Sequence, residues 1–100
     1  MLKHLAGAGY LDDGRVVQDR AARLAARDYS DMAIRRDLES RGASPELLEE
    51  ALAALEPEAS RAERLAAELG GGARTVRALA RKGFSDDSIE GVFGGVAHDP

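Results

Sequence analysis

A unit repeats along this chain with a period of 41 residues. Shifting residues 20–49 by 41 gives eleven identities in thirty positions: Arg20/Arg61, Ala21/Ala62, Arg23/Arg64, Leu24/Leu65, Ala25/Ala66, Ala26/Ala67, Arg36/Arg77, Leu38/Leu79, Gly42/Gly83, Ser44/Ser85 and Glu49/Glu90. A period between about 20 and 50 residues marks stacked supersecondary units. Such units bury their apolar faces against neighbours and present long surfaces for binding. The repeat therefore points to a partner-binding protein rather than an enzyme.

With 100 residues, the chain holds one domain at most or a tandem of very small units. Alanine and leucine dominate its apolar residues and aromatics make up only 4%. Such helices form readily but each buries little area. Without cysteine there is neither disulfide nor thiol chemistry, in keeping with a reducing cytoplasm. No apolar run approaches the ~18 residues of a membrane span, and the first ten residues are too short and too amphipathic for a signal peptide.

The net charge of −4 hides a pattern. Residues 44–60 carry five acids and no base, residues 61–84 six bases and two acids, residues 85–100 four acids and no base. The basic segments lie largely before each repeated glycine and the acidic ones after it. An acidic chain is a poor candidate for gripping a nucleic-acid backbone unaided, so a protein partner suits it better.

The 3.6-residue period runs almost throughout and predicts an all-α protein of seven short helices. Leu2, Leu5 and Ala6 mark the first, ended by Gly9. Asp12 or Asp13 caps the second, with Val17, Ala21, Leu24 and Ala25 inward. Ser30 caps the third, with Ile34 and Leu38 inward, and Gly42 ends it. Ser44 caps the fourth, with Pro45 at the first helical position; its stripe is Leu47, Leu48, Ala51, Leu52 and Leu55. Pro57 starts the fifth, striped by Ala62, Leu65, Ala66 and Leu69. Three glycines at 70–72 break the chain before a sixth helix with Val76, Leu79 and Ala80 inward. The seventh follows Ser85, with Ile89, Val92, Phe93 and Val96. Gly91, Gly94 and Gly95 each weaken it by up to ~1 kcal/mol relative to Ala, so its end is expected to fray.

Gly42 and Gly83 stand where a helix end calls for a left-handed residue. The residue after each, Ala43 or Phe84, can contact the end of one helix (Leu38 or Leu79) and staple onto the start of the next (Leu48 or Ile89). Phe84 has the larger side chain for this. Asp12, Asp13, Gly42, Ser44, Gly83, Phe84 and Ser85 are thus expected to shape structure.

Three segments carry a resemblance. Residues 9–15 (GYLDDGR) resemble the "G-y-l-D-D-x-R" segment of the RecX family. Residues 34–44 (IRRDLESRGAS) resemble its "I-R-x-E-L-x-x-K/R-G-I-s", and residues 77–85 (RALARKGFS) its later "L-x-R-K/R-G-F-s". Order and spacing match over nearly the whole chain. The resemblance implies a bacterial cytoplasmic protein of tandem three-helix repeats forming a short, elongated array. It implies binding to the RecA recombinase filament on single-stranded DNA and negative modulation of its activity in recombination, DNA repair and the SOS response, without catalysis. Residues 1–11 would be the last helix of a truncated first repeat, 12–56 the second repeat, 57–97 the third and 98–100 a tail. Departures include Val16-Val17 for the usual Phe-Ala, and Asp28-Tyr29-Ser30 where Gly-rich residues are common.

Arg35, Arg36, Arg41, Arg77, Arg81 and Lys82 are the candidate partner-binding residues. They recur on equivalent helices, and arginine makes bidentate contacts with carboxylate or phosphate. The plainer account is a solvated helix face with pairs such as Asp37–Arg41. No nucleophile with a base, no metal cluster and no cofactor loop is evident; His4 and His98 are isolated, and residues 70–72 lack the rest of a phosphate-binding loop. No catalytic, cofactor or metal residue is expected. The protein is expected to be a monomer that contacts RecA, with at most a weak direct contact to DNA and none to a membrane. The alternative is a small helical DNA-binding or peptide-binding module. A sequence-reading DNA helix would fall on residues 45–52, which offer Glu rather than base-reading side chains. A ubiquitin-associated type of module would explain 73–97 but not the period.

Overall fold

The computed structural model describes residues 13–97, with side chains through residue 93. Among them are six helices and no strand: α1 Gly14–Ala26, α2 Asp31–Ser40, α3 Pro45–Ala53, α4 Glu58–Leu69, α5 Ala73–Arg81 and α6 Asp86–Ala97. The expected first helix and Asp12 lie outside the described residues. The fold is an elongated all-α array.

Each start has a local cause. The Asp13 carboxylate accepts the Arg15 N–H at 2.9 Å, Ser30 Oγ the Ala33 N–H at 3.0 Å and Ser44 Oγ the Leu47 N–H at 3.3 Å. These side chains satisfy donors that the first helical turn leaves open. In the seventh expected helix, here α6, Ser85 Oγ takes the Ser88 N–H at 3.1 Å. Backbone continuity holds through Gly91, Gly94 and Gly95.

The ends follow one pattern. At Gly42 (φ +91°) the glycine N–H reaches Glu39 O and the Ala43 N–H reaches Leu38 O, both at 3.0 Å. At Gly83 (φ +95°) the same bonds run to Ala80 O and Leu79 O. These paired bonds close a helix through a left-handed residue. The end of α1 uses the same pattern with Asp28, at φ +65°, in the glycine's place.

The helices pack as two groups of three. Val17, Ala21, Ala25, Ile34, Leu38, Leu48 and Ala51 form the first core. Ala62, Leu65, Ala78, Leu79, Phe84 and Ile89 form the second. Phe84 is buried while Ala43 is half-buried, so the larger corner residue is the better plug. One stripe differs from expectation. On α5 the buried positions are Thr75, Ala78 and Leu79, while Val76 and Ala80 are exposed. The cause is Thr75: its Oγ1 accepts the Gly71 N–H at 3.0 Å, which ties the glycine turn to the helix and rotates Val76 outward.

Candidate partner-binding surface

The joint between the units constrains the basic side chains, and it is polar. Arg61 of α4 is fully buried. Its guanidinium donates to Tyr29 O at 2.9 Å, to Glu56 O at 3.0 Å and to the Asp31 carboxylate. Arg64, one turn on, donates to Asp28 at 2.9 Å and to Glu56. Glu58 accepts the Asp31 N–H at 3.1 Å, and Lys82 O accepts the Ser30 N–H at 3.0 Å. A buried charge persists only when paired and fully hydrogen-bonded, and Arg61 meets both conditions. No buried side-chain N or O among the described residues lacks a partner.

The joint also explains Asp28. A left-handed aspartate is tolerated less well than glycine, but its carboxylate gives Arg64 an acceptor that glycine lacks. One period later, residues 70–72 are all glycine, so the second unit has no counterpart of Asp31 to receive a further arginine.

The six candidate residues divide into two groups. Arg35 of α2 is half-buried and paired with Glu49 of α3. That hydrogen bond raises the Arg35 pKa and lowers that of Glu49. Arg41 reaches Asp37 at 3.2 Å, one helical turn back. Asp37 also takes two hydrogen bonds from Arg20, at 2.6 and 3.1 Å. Hydrogen bonding from Arg20, with Arg41 adding, holds the Asp37 carboxyl below the usual carboxylate range against the opposing effect of desolvation. Lys82 sits at the joint with Nζ 4.3 Å from the centroid of the Tyr29 ring, within cation–π range. These three are engaged within the molecule.

Arg36, Arg77 and Arg81 are exposed and in no ion pair among the described residues. Arg36 and Arg77 are repeat equivalents, each pointing away from its own core. The spacing also brings in Arg74: positions 74, 77 and 81 share one face of α5, and all are exposed. Arg27, just past the end of α1, has its guanidinium carbon 6.0 Å from the centroid of the same Tyr29 ring. Sequence reading missed Arg74 and Arg27, although the three-and-four spacing on α5 was visible. It also missed Arg61 and Arg64 as joint residues, although both recur as Arg20 and Arg23.

Chemically, exposed guanidinium groups without internal partners can meet carboxylate or phosphate at two points. No group of three or more His, Cys, Asp or Glu is placed to hold a metal among the described residues. No helix among them is long and apolar enough to cross a membrane. His4 and His98 lie outside the described residues. Comparison with protein-family profiles, curated proteins and solved structures returns no match for this chain.

Proposed function

We propose that this chain is a non-catalytic, cytoplasmic regulator that binds the RecA recombinase filament on single-stranded DNA and negatively modulates its activity. The reading rests on one observation: three RecX-like segments occur in the family's order and spacing along two consecutive units. Their residues are also the ones that shape the units. Asp13 caps α1, Ile34 and Leu38 lie in the first core, and Gly42 and Gly83 take the left-handed helix ends. Phe84 fills the second core.

Docking rather than chemistry suits the surface. Arg36, Arg77 and Arg81 are free to reach an acidic protein face or a phosphate. Direct reading of DNA by α3 is disfavoured, because Glu46 and Glu50 are exposed on it and repel phosphate.

Co-sedimentation with RecA filaments tests the proposal. The protein should pellet with filaments and not with bare single-stranded DNA. Reversing Arg36 and Arg77 to Glu should weaken this roughly tenfold and flatten its salt dependence. Undiminished binding by the folded double variant would remove the basic contacts from the account. Absence of filament binding by the folded wild type would remove RecA as the partner.

A further inference from the structure

The two units differ at a position the repeat makes easy to compare. In the first unit, Leu47 of α3 is half-buried against the core, and its Cδ2 lies 3.3 Å from where a Cβ on Gly14 would stand. Leu47 thereby reaches across from α3 to the start of α1. Its counterpart 41 residues later is Ser88. A hydroxymethyl group is too short to do the same, and among the described residues a crevice of about 240 Å³ lies between α4 and α6. Its apolar lining is Ala59, Ala62, Phe84 and Val92. Gly91 widens it further, since a Cβ there would meet nothing within 4 Å.

The crevice continues at both ends. It shares Glu58 and Ser88 with a hollow that crosses the joint to Asp31 and Met32. It shares Glu63 and Val92 with another that reaches Gly71 and Phe93. The whole follows α4 from Glu58 to Gly70, about 18 Å at 1.5 Å per residue. Met32 adds a half-exposed apolar side chain at one end.

The charge is one-sided. The central crevice carries Glu58 and Glu63 and no cation. Glu63 is exposed and in no ion pair among the described residues. Asp86 and Asp87 stand exposed in the first turn of α6. The one arginine in the outer hollow, Arg35, is paired with Glu49.

We propose that this groove receives an amphipathic helix of another protein, its apolar stripe set against the small residues of α4 and α6 and its flanking Lys or Arg against Glu58 and Glu63. Small floor residues let a helix approach closely, and a groove of this length accepts anchors spaced three and four residues apart. Opposite charge on the rims selects a basic segment over an acidic one. The proposal is independent of the RecA reading: the two share only Phe84, and the groove's rim charges and open space lie outside the RecX-like segments.

The test is a titration of the isotope-labelled full chain with a helical Leu/Lys peptide of about 14 residues, leucines at three-and-four spacing, followed by NMR. Saturable shifts should centre on Ala62, Glu63, Ser88 and Val92. A scrambled peptide without a stripe, and one with Glu for Lys, should bind at least about tenfold more weakly. Ser88→Leu installs the first unit's side chain and should abolish binding while the protein stays folded. If that variant does not fold, Gly91→Leu serves, because its side chain enters the open groove. Shifts on another face, equal binding of the acidic peptide, or undiminished binding by a folded blocking variant would overturn the proposal. So would self-association in sedimentation that Ser88→Leu abolishes, since a second copy would then be the occupant.

Discussion

Two glycines with nearly the same backbone angle have different surroundings. A Cβ on Gly42 would meet nothing within 4 Å, whereas one on Gly83 would lie 2.6 Å from Ser30 Oγ and 2.8 Å from Ala33 Cβ. Gly42→Ala should therefore cost only the left-handed strain, about 1 kcal/mol. Gly83→Ala adds a clash with the first unit, bringing the cost to about 2–4 kcal/mol. Thermal melts of the two variants check this, and equal costs would mean that the joint does not press on Gly83. Asp37 supplies a pH test. Its pKa is depressed in the folded state by Arg20 first and Arg41 second, so the unfolded chain takes up the proton at higher pH. The stabilisation is complete above the ordinary carboxylate range and is lost as pH falls below about 4. The stability gap between wild type and Asp37→Asn should be constant above about pH 5 and close in acid. A gap that persists unchanged to pH 2 would contradict the assigned pairing.

At the scale of elements, the joint is the feature with the largest consequences. Arg61 ties α4 to the turn between α1 and α2, and removing it orphans two carbonyls and opens a buried space. Arg61→Ala should cost about 3–5 kcal/mol and let the units unfold in separate steps. Denaturant unfolding followed by circular dichroism reads both effects, and a wild-type-like single transition would contradict the role given to Arg61. Helix starts and stops were legible in the sequence because they are local: Ser30, Ser44, Gly42 and Gly83 act within a few residues of themselves. The joint was not. It pairs Arg61 with Tyr29 and Asp31 some thirty residues away, and periodicity reports the face of one helix, not what lies against it. The same limit explains α5, where a buried Thr75 outranked the apolar Val76. It also explains the basic candidates. Spacing placed all six on surfaces, but only packing reveals that Arg35, Arg41 and Lys82 already have internal partners.

Over the described residues, the molecule is two similar three-helix units fixed end to end by a polar clamp. A clamp of this kind holds the units at one spacing, which is what the proposed docking of Arg36 and its equivalent Arg77 on a RecA filament, a periodic partner, requires. The 41-residue period made that architecture readable, and the RecX-like segments are what the RecA proposal rests on. The open groove beside Ser88 was hidden, because a serine for a leucine in one helix says nothing about the space between two. The measurement that bears most directly on the central claim is RecA's single-stranded-DNA-dependent ATP hydrolysis with this protein titrated in. The account predicts inhibition that saturates and that Arg36→Glu with Arg77→Glu relieves. Unchanged hydrolysis at concentrations where the folded protein is in excess over RecA would contradict it.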